Sequence, residues 1–201
     1  MDKPIPFPKA LHLLAACALR DANRFRLDCV RLASHAGFVR WEATDGRVAV
    51  RVDVDVGGAE PGIDILIPAD ALADAAKAAA KGRPKYYTAS LAYKPDGLLY
   101  QTMGGPATLN FIAKAGPEAR AAFPDFDGII PGGDPVAEAR VNFNVTLLAK
   151  AADAVVALGA SDGSLGASLA FYGDKAPCKV TPMLPASGVR ASGFVMPVGR
   201  G

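Results

Sequence analysis

Gly37–Val56 reads GFVRWEATDGRVAVRVDVDV. On either side of a TDG turn, apolar and polar residues alternate with period two, the spacing of a strand with one face on a core. The turn sets Gly46 where a tight reversal needs positive φ. The stretch therefore predicts a β-hairpin, with Val52, Val54 and Val56 pointing inward and Asp53 and Asp55 on one solvated face. A metal at that Asp pair is the weaker reading.

Working outward, Arg24–Ser34 (RFRLDCVRLAS) adds a third antiparallel strand through an SHAG turn. A helix is predicted before it, over Pro8–Asp21, with Leu11, Leu14, Ala15, Ala18 and Leu19 on one stripe and Pro8 at a first-turn position. The arrangement then recurs. Pro68–Gly82 carries Asp70 and Asp74 early, Lys77 and Lys81 late and Gly82 at its stop, which suits the helix dipole. The text after it divides into three strands at KPDG and GGP. Asn144–Gly159 offers Asn144 as cap and Leu147, Leu148, Ala151, Ala154, Val155 and Leu158 as a buried stripe. Three more strands follow, in SLGASLAFYG, PCKVTPML and SGFVMPV. The fold class is α+β, a helix plus three strands repeated about three times.

Composition narrows the function classes. The 201 residues are 51% apolar and 21% charged, enough for a sizeable core. No run approaches a membrane span, and MDKPIPFPKA lacks the order of a signal peptide, so a cytoplasmic protein is expected. Residues 1–100 hold 14 Lys and Arg against 12 Asp and Glu, and residues 101–201 hold 8 against 8, so the net charge of +2 lies in the first half. Any nucleic-acid contact must use a local face. Lys9, Arg20, Lys77, Lys81, Arg83, Lys85 and Lys150 are the helix-associated cations. They read either as a solvated helix face or as a sparse phosphate-contacting surface, weak and salt-sensitive.

Catalytic chemistry is not indicated. Cys17, Cys29 and Cys178 are odd in number, widely spaced and without a CxxC pair, and read as small buried residues. His12 and His35 lack a nucleophile and an orienting group. Gly159–Gly166 (GASDGSLG) follows a helix and lacks the Lys-Ser/Thr of a phosphate loop. No enzyme activity, metal or cofactor is expected.

Between the second and third repeats stands Ala121–Pro135, AAFPDFDGIIPGGDP. It is too rich in aromatic and apolar residues for a free linker. WEATDGRVAV at Trp41–Val50, FPDFDGIIP at Phe123–Pro131, VNFNVTLLAKAADAV at Val141–Val155 and GFVMPV at Gly193–Val198 together resemble, in order, the DNA sliding-clamp family, the bacterial DNA polymerase III beta subunit. The resemblance implies the DNA-clamp, or processivity-fold, architecture, with helices lining a hole around duplex DNA and strands outside. Residues 5–126 resemble the family's middle domain and residues 136–198 the second half of its last domain. The expected division is thus a clamp-like domain over 1–122, an inter-domain connection over 123–135 and a half domain over 136–201.

By the same resemblance, a partner's short apolar peptide would enter a groove walled by Thr44, Gly46, Arg47 and Val48; by Pro124, Gly128 and Ile129; and by Val195, Met196, Pro197 and Val198. Val48 and Ile129 would face each other, with Phe123 and Phe126 holding the connection down. The implied function is a shortened processivity factor that tethers a DNA polymerase or repair protein. Double-stranded DNA would be bound weakly and non-specifically, and copies would associate, because a family ring closes from twelve units and this chain supplies about three. The alternative is a non-encircling adaptor or decoy that competes for clamp partners.

Overall fold

The computed structural model describes residues 5–7, 10–18, 26–57, 62–80, 89–94, 97–102, 105–109, 113–114, 121–136, 141–161 and 164–198. The hairpin around Gly46 is β3 (Phe38–Thr44) and β4 (Val48–Asp55), and β2 (Cys29–His35) pairs with β3 as expected. Gly46 has φ +85°, the conformation its turn requires. Ahead of them lie β1 (Ile5–Phe7) and α1 (Leu11–Ala15). The second repeat is β5 (Asp64–Pro68), α2 (Ala69–Ala80), β6 (Ala89–Lys94), β7 (Gly97–Thr102) and β8 (Gly105–Leu109), followed by β9 (Ala113–Lys114). The third is α3 (Val145–Gly159), β10 (Ala167–Ala170), β11 (Cys178–Pro182) and β12 (Val189–Val195).

Helix-plus-three-strands is thus correct, but in the first two repeats a short strand precedes the helix. Those strands cross over. β1 joins β6, and β5 joins β2. The result is a four-stranded sheet, β1-β6-β7-β8, and an eight-stranded one, β10-β11-β12-β4-β3-β2-β5-β9. β12 lies antiparallel to β4 from Val189↔Val54 to Val195↔Val48, so the larger sheet runs unbroken across the expected 123–135 division.

The helices cover one face of this sheet. Leu11, Leu14, Trp41, Val50, Val52, Ile65, Ile67, Leu72, Ala151, Val155 and Val195 form one buried cluster there. α3 begins on Asn144, whose Oδ1 accepts from the N–H groups of Thr146 and Leu147 at 2.9 and 3.3 Å. It sits unusually close to β12. A Cβ at Gly159 would run into Ala191, and one at Gly193 would lie 3.1 Å from Val155 Cγ2, so helix and strand meet almost backbone to backbone. Cys17, Cys29 and Cys178 are buried free thiols. Burial pushes Cys17 and Cys29 up to about 12, which leaves them unreactive thiols at neutral pH.

The opposite face overturns one expectation. Asp53 is not solvated: its carboxylate takes Arg40 Nε at 2.7 Å and Nη2 at 3.0 Å and lies 3.7 Å from Arg190. Arg40, Asp53 and Arg190 stand opposite one another on β3, β4 and β12, so the ladder register itself assembles the cluster. Asp55, by contrast, is exposed. A parallel row joins Arg31, Glu42 and Arg51 on β2, β3 and β4. Glu42 Oε1 accepts from Arg51 Nε at 2.8 Å, and Glu42 Oε2 from Arg31 Nη1 at 3.3 Å. Burial raises the pKa of Glu42 despite both cations.

Candidate functional site

The TDG turn is tied together from within. Asp45 Oδ1 accepts from the N–H groups of Arg47 and Val48, both at 2.9 Å, and Thr44 Oγ1 accepts from Gly46 N–H and donates to Val48 O at 2.7 Å. Beyond β12, Met196 N–H donates to Arg47 O at 2.9 Å, and Val198 N–H to Asn142 O at 2.8 Å. The chain end is therefore laced to the turn.

The connection reaches the same place from the outer face. Phe123 and Phe126, stacked with ring centroids 5.9 Å apart, are buried with Ala49 and Phe194, which oppose each other on β4 and β12, and with Cys29 and Leu66. Arg51 fastens the next residue, donating from Nη1 to Asp127 Oδ1 at 2.8 Å while its guanidinium lies 5.6 Å from the Phe126 ring centre. That hydrogen bond holds the Asp127 carboxyl below its usual range. The connection is docked, and Phe123 and Phe126 are its anchors.

All three expected walls converge here, but their residues divide. Gly46 and Arg47 are exposed on the turn, Pro124 and Ile129 are half-buried, and Gly128 is exposed. Met196 is 41% exposed and Val198 51%, with Pro197 half-buried between them. Val48 (1% exposed), Val195 and Thr44 present no such surface, which corrects their assignment as walls. Val48 and Val195 oppose each other in register and point to the helix side, so they belong to the main core beneath the turn. Sequence reasoning missed Arg51, Ala49 and Phe194, whose roles depend on which residues face each other across strands, and Asp45, whose carboxylate closes the turn locally and takes Lys150 from α3.

The helix cations fare differently. Lys9, Arg20, Lys81, Arg83 and Lys85 lie outside the described residues. Lys77 is exposed, 4.0 Å from Asp74, with Asp70 exposed on the same helix. Lys150 is not a free cation on the helix face, because its Nζ is 3.2 Å from Asp45 Oδ2 and ties α3 to the TDG turn. A cleft of about 360 Å³ between α1 and α2 is lined by His12, Asp28, Asp70, Asp74 and Lys77. His35 stacks on Phe38 at 4.9 Å, and burial and neighbouring arginines lower its pKa. Among the described residues there is no cluster of three or more His, Cys, Asp or Glu suited to a metal. No helix among them is long and apolar enough to cross a membrane.

No protein-family model and no curated protein matches the chain. Solved structures do. A Helicobacter pylori beta clamp bound to a DNA ligase peptide superposes with TM-score 0.69 at 11% identity, over 98% of this chain and 65% of that one. A Bacillus subtilis DNA polymerase sliding clamp gives 0.66 at 12% over 98% and 64%, and the Caulobacter crescentus pol III beta 0.61 at 16% over 98% and 66%. The fold is that of a sliding clamp. Nearly the whole chain matches just under two thirds of each clamp, so the sliding-clamp fold is present here in a shorter span.

Proposed function

We propose that the chain is a non-enzymatic, shortened processivity factor, a clamp-like domain over 1–122 joined by 123–135 to a half domain over 136–201. Its task is to tether a DNA polymerase or repair protein through a short apolar peptide seated beside Met196. The observation that carries this reading is the convergence of the TDG turn, the docked connection and the chain end, with Met196 and Val198 left exposed where they meet. Met196 is flexible and polarizable, suited to varied apolar side chains. Arg47, Pro124, Gly128, Ile129 and Pro197 would border the peptide, and Val48, Val195 and Thr44 would support it from below.

The test is binding of a fluorescent apolar peptide of clamp-ligand type to wild type and Met196→Ala. The substitution should weaken binding by about 1–2 kcal/mol, as truncation of an interface anchor does. Melting should stay within a few degrees, because the side chain is substantially exposed. Undiminished affinity in the folded variant would remove Met196 from the site.

One observation favours the adaptor as a second reading. On the described part of α2 the exposed charges are Asp70, Asp74 and Lys77, which repel phosphate more than they attract it. A non-encircling protein that competes for clamp partners would keep the groove without needing a cationic helix face. Retention on duplex DNA separates the two: retention on circular but not linear duplex supports an encircling processivity factor, with any salt-sensitive binding common to both forms reporting only weak phosphate contact, and no retention supports the adaptor.

A further inference from the structure

Met196 lies just past the end of β12, and two backbone hydrogen bonds hold its segment: Met196 N–H to Arg47 O at 2.9 Å and Val198 N–H to Asn142 O at 2.8 Å. Both tethers lead back to α3. Asn142 stands just before Asn144, the cap of that helix. Arg47 is reached through its own N–H, which donates to Asp45 Oδ1 at 2.9 Å. The other oxygen of the same carboxylate accepts from Lys150 Nζ, on the second turn of α3, at 3.2 Å.

Of the two tethers, the one through Arg47 needs outside support. Arg47 is exposed, so packing does little to set the angle of its carbonyl. Asp45 sets it instead, by accepting from the N–H groups of Arg47 and Val48 together. A carboxylate held through one oxygen can still swing about its Cβ–Cγ bond, a broad torsion. Lys150 takes the second oxygen and stops that swing. The pair is sheltered, with the Asp45 side chain 13% exposed and that of Lys150 28%, so it is a charge-assisted bond that salt screens in part. Both charges also act on the buried Cys17 thiol, which puts the end of α1 against the same junction.

We propose that Lys150 is a positioning residue for the Met196 segment: by clamping Asp45 it fixes the Arg47 carbonyl, and through it the place at which Met196 is presented. The inference rests on the reading of Met196 as the peptide contact. It moves Lys150 out of the phosphate-contacting set and into the support of the groove, where it touches no peptide itself. A binding residue whose support is loosened loses pre-organisation, and affinity falls although every contacting side chain is still present.

The test uses the full chain, a fluorescent uncharged apolar peptide and amide hydrogen exchange. Lys150→Met keeps the apolar stem and removes the charge. It should weaken peptide binding roughly twofold to fivefold, the range for partly exposed ion pairs, and Lys150→Arg should restore most of the loss. In an Asp45→Asn background, which keeps an acceptor for the turn, Lys150→Met should change nothing further. The affinity ratio of wild type to Lys150→Met should shrink as salt is raised, a comparison in which the peptide's own salt response cancels. Without peptide, exchange at the Met196 and Arg47 amides should quicken in Lys150→Met, while amides of the β2 and β3 ladder keep their wild-type rates. Circular dichroism confirms folding, and Asp45→Asn breaks the pair from the other side should Lys150→Met unfold. Unchanged exchange at Met196 and Arg47, uniform quickening across the sheet, or undiminished affinity in the folded variants would overturn the proposal. A wild type that binds no peptide removes the groove reading alone, because exchange still decides whether Lys150 holds the segment.

Discussion

The two faces of the eight-stranded sheet are built on opposite terms. Toward the helices, β3, β4 and β12 present Val39, Trp41, Val50, Val52, Ala191 and Val195 to a continuous apolar core. Away from them, the same strands present Arg40, Glu42, Arg51, Asp53 and Arg190, and that face turns apolar at Ala49 and Phe194, where the connection docks. The first face is held by area removed from water, which is non-directional. The second is held by charges that must meet specific partners, because a buried charge without one is costly. The apolar face sets that the sheet forms. The charged face sets how its strands align, since a one-residue slip would turn every paired side chain away.

Substitutions on the two faces should break this contrast in graded fashion. Trp41→Ala removes the largest fully buried side chain of the helix side and should cost about 3–5 kcal/mol in chemical denaturation, the range for aromatic truncation in a core. Glu42→Gln should cost less, about 2–3 kcal/mol, below the range for breaking a buried ion pair, because Arg31 keeps Asp64 and Arg51 keeps Asp127. A larger loss for Glu42 than for Trp41 would reverse the ranking of the two faces.

Asp127→Asn should have the smallest effect, under about 1 kcal/mol, since the carboxylate is 73% exposed and solvent screens its pair with Arg51. Its folded-state pKa lies below the unfolded value. The pair's contribution is therefore present above the ordinary carboxylate range and is lost as pH falls through the folded value. Limited proteolysis of the connection should quicken in acid for wild type, and Asp127→Asn should show the quickened rate at neutral pH. Equal rates for both proteins at every pH would detach Asp127 from the docking.

Much of the helix side was legible because period two is a single-strand property. The alternation in Gly37–Val56 and the Asn144 cap each specify their element without knowledge of neighbours. β5 escaped because Ile65 and Ile67 enter the helix-side core while Leu66 enters the outer cluster, so Ile65–Ile67 is a short unbroken apolar run that cannot be told from a helix start. Asp53 was misread for a related reason: its partners are on β3 and β12, and alternating polar residues on one strand look alike whether they meet water or arginine. The candidate site shows the same limit. Its three segments were recognisable as text, and the parity that turns Val52 and Val54 inward also turns Val48 inward and Ala49 outward, but that Ala49 meets Phe194 depends on pairing with β12, far along the chain. Lys150 reaches Asp45 across 105 positions, a contact no local pattern encodes.

β12, which leads into Met196, is bonded on both flanks, to β4 along its whole length and to β11 over Gly193–Val195, while α3 rests directly on it through Gly159 and Gly193. A pull on Met196 along the strand axis would load these ladders in shear, with many hydrogen bonds sharing the force at once. A pull across the sheet would instead peel them one at a time. The Met196 segment is thus mechanically strong in one direction and weak in the other, and single-molecule extension along the two axes would measure that anisotropy.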